Sequence, residues 1–117
     1  MLIAGLFGKV AAQESKQVVR LAKLQIDSAQ LDNYKDMLRQ GIETSMRVEP
    51  GVLQMYAVSD KNNPTYITIL EIYASLDAYN SHLETPHFRK YKIGTQHMVK
   101  SLELVNVDPV IFATKNK

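Results

Sequence analysis

The chain has 117 residues, of which 45% are hydrophobic and 22% charged, so its composition is that of one globular domain and not of a disordered or fibrous protein. Its 14 basic and 12 acidic residues leave a formal net charge of +2, which is too weak to indicate a nucleic-acid partner. The absence of cysteine excludes disulfides, thiolate catalysis, iron–sulfur clusters and cysteine-ligated zinc.

Residues 1–17 form an N-terminal extension with two interpretations. Met1 to Phe7 is a short apolar run, and Val10-Ala11-Ala12 ends in the small residues typical of a signal-peptidase site. No basic segment precedes the run and Lys9 interrupts it, so the alternative is a short amphipathic helix retained in the mature protein. We expect a cytoplasmic protein, or a periplasmic or secreted one if residues 1–12 are the remnant of a signal peptide. No integral membrane segment is predicted, because no apolar run approaches the roughly 20 residues that span a bilayer.

The first strand and the first helix follow this extension. The segment from Val18 to Ile26, VVRLAKLQI, is rich in β-branched and aliphatic residues and predicts a strand. Asp27, followed three residues later by Gln30, has the capping-box pattern of a helix start. Apolar residues then recur at helical spacing at Leu31, Tyr34, Leu38, Ile42 and Met46. Glu49-Pro50-Gly51 is predicted to end the helix, because proline cannot continue it and glycine tolerates the backbone angles of the exit.

A β-hairpin is predicted next. Val52 to Ser59 and Thr65 to Tyr73 have strand composition, and Asp60-Lys61-Asn62-Asn63-Pro64 between them is typical of a turn. Two strands joined by so short a turn pair in the antiparallel sense.

The last third of the chain predicts a broken helix and a final strand. Ser75 is a candidate N-cap, and Thr85-Pro86 has the pattern of a second N-cap with proline at the first helical position. The helix is therefore expected to break at Thr85 and to resume to about Met98, before a strand from Ser101 to Val107.

The element order β-α-β-β-α-β predicts an α+β fold of the ferredoxin-like type, with a four-stranded antiparallel sheet and helices on one face. The domain is expected to span residues 18–112, with a polar tail over residues 113–117.

Both faces of this sheet are apolar, which predicts a homodimer. A sheet with one face in water alternates apolar and polar residues, and these strands do not. In the third strand one face carries Tyr66, Thr68, Leu70 and Ile72, and the other carries Ile67, Ile69, Glu71 and Tyr73. In the second strand one face carries Val52, Tyr56 and Val58, and the other carries Leu53, Met55 and Ala57. The helices cover only one face, so the sheet of a second copy is expected to cover the other.

Titratable side chains with catalytic potential concentrate in the second half of the chain, at Glu71, Tyr73, His82, His87, Tyr91 and His97. Nucleophile elbows, P-loops, dinucleotide-binding glycine motifs and H-E-x-x-H are all absent from the sequence. His82 and His87 are separated by Pro86 and do not share a helix face, so no metal site is predicted.

Glu71 and His82 each have a structural and a catalytic interpretation. Glu71 lies on an otherwise apolar strand face, where a carboxylate is either an ion-pair anchor or a catalytic group with a raised pKa. His82 is expected on a short helix that packs against the sheet, where it is either a buried structural residue or a base. The tyrosines and Met55 either line an aromatic pocket or fill the core.

The segment HLETPHFRKY, from His82 to Tyr91, resembles the signature stretch of the antibiotic biosynthesis monooxygenase family, and most closely its quinol monooxygenase branch. The segments VRLAKLQI, EPGVL and ITILEIYASLDAY are similar to the same family and lie in matching order. The resemblance runs from about Val18 to Pro109.

The resemblance implies a dimeric α+β barrel with one pocket per subunit, in which O₂ oxidises small flat quinols or polyphenols without metal, flavin or any other cofactor. An electron-rich phenolate can itself reduce O₂, so the protein needs only to bind, deprotonate and exclude water. His82 would be the base or the hydrogen-bond partner of the substrate hydroxyl, and Glu71 would orient a partner or tune a proton. The substrate-binding residues would be His87 and Tyr91 at the pocket mouth, with Tyr56, Tyr73, Phe88 and Met55 as walls.

Two other functions stay open. The T-P-H stretch is also similar to isomerases of small phosphorylated substrates, and the family includes isomerases of lactones. A non-catalytic dimeric binding module is the third hypothesis, because a fold does not determine a function. Haem degradation fits poorly, because that branch of the family relies on a pocket tryptophan and a first-strand asparagine, whereas this chain has no tryptophan and Asn33 lies in the first helix.

Overall fold

The computed structural model of the protein describes residues 16–115, so the two interpretations of the N-terminal extension concern residues that lie almost entirely outside this range. In chain order the elements are β1 (Val18–Ile26), a 3₁₀ turn (Ser28–Gln30), α1 (Leu31–Val48), β2 (Val52–Ser59), β3 (Tyr66–Tyr73), α2 (Leu76–Leu83), α3 (Pro86–Thr95), a second 3₁₀ turn (Gln96–Met98) and β4 (Val99–Asn106).

The strands form one antiparallel sheet in the order β2-β3-β1-β4. The two central strands are therefore β1 and β3, each followed by a helical connection. This is the ferredoxin-like α+β fold that the element order predicts, and that prediction is confirmed.

Local hydrogen bonds determine where the helices begin. The Ser75 side chain accepts from the backbone N–H of Ala78 at 3.1 Å, and the Thr85 hydroxyl accepts from that of Phe88 at 3.2 Å. The helical stretch breaks at Thr85 as predicted. The Asp27 carboxylate accepts from the Ala29 N–H at 3.0 Å and caps the 3₁₀ turn, so α1 begins one turn later than the capping-box pattern indicates.

The core lies between one face of the sheet and helix α1. Its buried members are Ala22, Leu24, Ile26, Tyr34, Leu38, Ile67, Ile69 and Met98. Full burial of a large apolar side chain contributes about 1.5–3 kcal/mol each, so this cluster holds α1 against the sheet. Near its end the buried stripe of α1 continues through Ser45, which is 1% exposed, and not through Met46, which is 44% exposed. The small side chain of Ser45 leaves space between α1 and the sheet.

A β-bulge at Leu53 changes the faces predicted for β2. Val52 pairs with Tyr73, and Gln54 pairs with Ile72, so one residue of β2 is unpaired between them. Because directly opposed residues share a face, Val52 and Met55 both lie on the helix side, although simple alternation places them on opposite faces. The predicted grouping of Val52 with Tyr56 and Val58 is therefore wrong.

Gly51 is required by close packing. None of the glycines in residues 16–115 has a positive φ, so backbone freedom is not the reason for a glycine here. A Cβ added to Gly51 would lie 2.5 Å from the Cβ of Ala78, which is too close for two carbon atoms. The glycine therefore lets helix α2 pack directly on the α1–β2 connection.

The face of the sheet opposite the helices is apolar and only partly covered. Tyr56, Val58 and Tyr66 on this face are at least half exposed, and Leu70 beside them is intermediate. Among residues 16–115, no helix is both long and apolar enough to span a bilayer.

Candidate active site

A cavity of about 480 Å³ lies between the sheet, helix α1 and helices α2 and α3. Aliphatic and aromatic side chains form most of its wall, including Leu24, Leu38, Ile69, Phe88 and Leu104. Gly41 and Ser45 of α1 also line it, so small residues on this helix provide part of the space. Apolar cavities of this size with a few polar groups are typical binding sites for small molecules.

Six of the eight residues predicted for the site line this cavity: His82, Glu71, Tyr73, Tyr91, Phe88 and Met55. Tyr56 does not line it. Tyr56 pairs with Leu70 on the opposite face of the sheet and is 55% exposed, because the bulge at Leu53 determines which residues of β2 face the helices. His87 also does not line it, and instead borders a smaller cavity of about 120 Å³ with Thr44 and Lys90.

His82 is a buried part of the cavity wall, with 5% of its surface exposed. Its Nδ1 lies 2.9 Å from Oε2 of Glu49, and its ring packs against Phe88 at 4.9 Å and Tyr73 at 5.4 Å between centroids. An ionised carboxylate only accepts hydrogen bonds, so Nδ1 carries the hydrogen. In the neutral imidazole Nε2 is then the free acceptor, and it makes no hydrogen bond within the described residues.

Glu49 holds two histidines with one oxygen atom. Oε2 accepts from Nδ1 of His82 and from Nε2 of His87, the second at 2.5 Å. Burial disfavours the charged carboxylate, but the hydrogen bonds from His87 and His82 outweigh it and lower the pKa of Glu49. Glu49 was predicted only as part of the helix stop, and its one signal in the sequence was the EPGVL segment.

The Glu49, His82 and His87 side chains also have the composition of a metal site, and their ligand atoms all lie within 4.8 Å of one another. The histidines do not share a helix face, but the break at Thr85 turns α3 so that both rings reach Glu49. The contacts of 2.9 and 2.5 Å to one oxygen have hydrogen-bond lengths. Two ligands of one zinc ion, each about 2.1 Å from it, lie roughly 3 Å or more apart. The absence of a metal stays a prediction.

Glu71 lies on β3 and faces the cavity. The Tyr73 hydroxyl donates to its Oε1 at 2.8 Å, and within residues 16–115 Glu71 makes no ion pair. Burial raises the pKa of Glu71, whereas the Tyr73 hydrogen bond and the charges of His82 and Arg20 oppose the shift. Burial beside Glu71 likewise raises the pKa of Tyr73.

Arg20 and Tyr79 are part of the wall that sequence reasoning missed. Arg20 of β1 is directly opposite Glu71 on β3 and Asn106 on β4, so these side chains form one row across the sheet. The Arg20 Nε donates to Oδ1 of Asn106 at 3.1 Å, and its Nη1 donates to the Tyr79 hydroxyl.

Tyr91 closes the cavity from helix α3. Its hydroxyl lies 2.6 Å from that of Tyr34, which is fully buried in α1. Burial raises the pKa of both phenols, so the pair remains protonated. The Tyr91 Cβ lies beside Gly41 of α1, and the Cβ of an alanine at Gly41 would lie 3.6 Å from it, an ordinary van der Waals contact.

Comparisons with known proteins agree on one family. The family model for antibiotic biosynthesis monooxygenases matches residues 17–92. A solved candidate antibiotic biosynthesis monooxygenase from Bacteroides thetaiotaomicron is 50% identical, with a TM-score of 0.84 over 89% of this chain and 99% of that one. A candidate monooxygenase from Lactobacillus acidophilus is 32% identical, with a TM-score of 0.77, and 78% of this chain matches 43% of that longer chain.

A more distant candidate antibiotic biosynthesis monooxygenase, from Nitrosomonas europaea, shares the fold. It is 19% identical, with a TM-score of 0.76 over 81% of this chain and 91% of that one. No functionally curated protein matches the chain.

Proposed function

Because the chain belongs to the antibiotic biosynthesis monooxygenase family, we propose that it is a monooxygenase that oxidises a small quinol or polyphenol with O₂ and without a cofactor. One observation carries the proposal: His82 is buried at an aromatic cavity and is held by Glu49, so that its Nε2 is the free acceptor. This is the arrangement of a general base with an orienting carboxylate.

The reaction begins with deprotonation. The substrate hydroxyl donates to Nε2 of His82 and transfers its proton there, and the Glu49 carboxylate stabilises the resulting imidazolium. The lowered pKa of Glu49 supports this role, because it keeps the carboxylate ionised.

The phenolate then reduces O₂ directly, by transfer of one electron and recombination to form a carbon–oxygen bond. Overall a quinol takes up one oxygen atom and becomes a hydroxyquinone, and the second oxygen atom leaves as water. The substrate loses four electrons and O₂ gains four, so the reaction needs no external reductant.

The other cavity residues orient the ring and move protons. Tyr73, Phe88, Tyr91 and Met55 form walls against a flat ring and exclude water from the reduced oxygen species. Glu71, whose pKa burial raises, exchanges a proton with the second substrate hydroxyl or with the departing oxygen.

The proposed assembly is a homodimer through the uncovered face of the sheet. Tyr56, Val58 and Tyr66 support it, because three large apolar side chains exposed together on one face are unusual in a monomer. Two such sheets packed face to face would complete an α+β barrel.

The test is O₂ uptake with a reduced naphthoquinol in wild-type protein, His82→Ala and His97→Ala. We expect His82→Ala to lose about 10²-fold or more of kcat, which is the usual contribution of a general base. His97 is an exposed histidine outside the cavity wall and serves as the matched control, with activity close to wild type. Equal uptake by wild-type protein and His82→Ala would show that His82 is not the base.

An isomerase is the second candidate, because His82 and Glu71 face one cavity as a base and an acid. Such a pair could move a proton between two carbon atoms of a small substrate. Turnover of a phosphorylated or lactone substrate under strict anaerobiosis would favour the isomerase over the monooxygenase.

A further inference from the structure

The charges on the cavity wall are predominantly positive. The wall includes Arg20, Lys92 and Lys100 but only one carboxylate, Glu71, whose pKa burial raises. A cleft lined mainly by charges of one sign raises the local concentration of ligands with the opposite sign. The cavity therefore favours an anionic ligand over a neutral one.

Arg20 is positioned by neutral partners. Its guanidinium lies 4.2 Å above the centroid of the Tyr79 ring, donates to the Tyr79 hydroxyl, and donates through Nε to Asn106 at 3.1 Å. Within residues 16–115 no carboxylate lies within ion-pair distance of it. Two of its five N–H donors make these hydrogen bonds, so in the described part of the chain three are left without a partner on a side chain that is already oriented.

The spacing along helix α2 places Arg20 at a useful distance from His82. Tyr79 and His82 are three residues apart on α2, so they share a face and are separated by about 4.5 Å along the helix axis. The Tyr73 ring packs against both of them, with centroids at 5.1 and 5.4 Å. An aromatic molecule of one or two rings can therefore reach Arg20 with one substituent and His82 with another.

We propose that the Arg20 end of the cavity binds a carboxylate, so that the substrate is an aromatic hydroxy acid with its hydroxyl at His82. The planar guanidinium matches a carboxylate through two parallel hydrogen bonds. The same fork also matches phosphate, but phosphate sites often add backbone N–H groups at a helix N-terminus, and among the described residues the first turn of α2, Leu76 to Ala78, does not line the cavity. The position of the reacting hydroxyl rests on the proposed function, whereas binding of the carboxylate does not.

The experiment measures binding without turnover. Anaerobic calorimetry compares 1,4-dihydroxy-2-naphthoate, its methyl ester and 1,4-dihydroxynaphthalene on wild-type protein, Arg20→Gln and Lys23→Gln. We expect the acid to bind wild-type protein at least about tenfold more tightly than the ester or the neutral quinol, with the difference lost in Arg20→Gln. Lys23 is an exposed cation on the same strand outside the cavity, so Lys23→Gln should keep the preference.

Equal affinity of wild-type protein for the acid and its ester would overturn the inference, and this comparison needs no variant to fold. An unchanged preference in Arg20→Gln would overturn it as well. Tighter binding of 1-naphthyl phosphate than of the acid would show that the Arg20 end of the cavity is a phosphate site, and would overturn the inference of a carboxylate site.

The two proposals can fail separately. If the acid binds through Arg20 but no oxygenation follows in air, the monooxygenase proposal fails and the carboxylate site stands. If neutral quinols are oxygenated as well as their acids, the carboxylate site fails and the monooxygenase proposal stands.

Discussion

Glu49 determines which nitrogen of His82 is available for chemistry. A histidine without an oriented partner exchanges between two tautomers, and only one of them presents Nε2 as an acceptor. The hydrogen bond from Nδ1 to the Glu49 carboxylate selects that tautomer and also holds the ring against Phe88. In the proposed reaction Glu49 is therefore a positioning residue that acts through His82.

Replacement of Glu49 by glutamine should lower kcat about 10²-fold and change KM little, because the imidazolium loses its counter-charge while the cavity is retained. Steady-state O₂ uptake with a reduced naphthoquinol measures both parameters. Glu43→Gln removes an exposed carboxylate from helix α1, which ends just before Glu49, and should behave as wild type. Wild-type kcat in Glu49→Gln would exclude the positioning role.

Glu71→Gln should make the protein more stable at neutral pH but not at acid pH. The folded protein raises the pKa of Glu71, so it holds the proton more strongly than the unfolded chain does. The folded protein therefore loses stability as the pH rises from the pKa of an ordinary glutamate through the raised pKa of Glu71. A glutamine carries no titrating proton and avoids that loss. Three groups face the Glu71 carboxylate. The hydrogen bond from Tyr73 and the charges of His82 and Arg20 limit the rise of the Glu71 pKa, and Glu71 in turn raises the pKa of Tyr73.

We expect Glu71→Gln to raise Tm at pH 7.5 and to match wild type near pH 4. Thermal unfolding of both proteins across this pH range is the measurement. A difference in Tm that does not vary with pH would contradict a raised pKa for Glu71.

Single site residues were predictable from the sequence where a polar side chain interrupts an apolar face. His82 and Glu71 stand out as polar groups on apolar faces, and both line the cavity. Glu49 was missed because its contact with His82 joins residues 33 positions apart, and only the folded chain creates it. Arg20 was missed for the same reason, since strand pairing brings it beside Asn106.

At the scale of elements, the contact between Gly51 and helix α2 places His82. The Ala78 side chain of α2 lies so close to Gly51 that a side chain on Gly51 would not fit between them. Any residue larger than glycine would push α2, and His82 with it, away from Glu49.

Gly51→Ala should therefore cost about 1–3 kcal/mol of stability, the usual range for an overpacked site, and should lower activity. Chemical denaturation measures the first effect and O₂ uptake the second. Gly41→Ala is the matched control for the stability measurement alone, because Gly41 lines the cavity, while its added Cβ would meet Tyr91 at an ordinary 3.6 Å and alanine favours a helix. Equal stability of the two variants would contradict the close packing of α2 on Gly51.

Element boundaries followed closely from local signals. Ser75 predicted the start of α2, and Thr85 with Pro86 predicted the start of α3, because caps and proline act within one turn. The bulge at Leu53 was not predictable, because it depends on the register of β2 against β3. That single unpaired residue separates Tyr56 from Val52, with which simple alternation groups it, so that Tyr56 lies on the face opposite the cavity.

At the scale of the whole molecule, the order of the elements was sufficient to predict the ferredoxin-like sheet. Its cavity was not predictable in shape, since it results from small residues such as Gly41 and Ser45 where α1 crosses the sheet. The uncovered apolar face of the sheet follows from composition and is the basis for the proposed dimer.

Val58→Asp should separate the proposed dimer into monomers, because it places a charge at the centre of an apolar interface. Val58 is 63% exposed in the single chain, so the substitution should leave the fold intact. Light scattering should report twice the 13.2 kDa chain mass for wild-type protein and the single mass for Val58→Asp. Ile93→Asp, at an exposed position on α3, should remain dimeric, and a monomeric wild type would contradict the proposed assembly.

The proposed function requires that the cavity beside His82 oxygenates its substrate with no help from a metal or a cofactor. The most direct measurement is mass spectrometry of the product formed under ¹⁸O₂ by protein treated with a chelator, for wild type and His82→Ala. We expect one ¹⁸O atom in each product molecule from the wild-type protein and no labelled product above background from His82→Ala. Unlabelled quinone with hydrogen peroxide, or activity that disappears with the chelator, would contradict the claim.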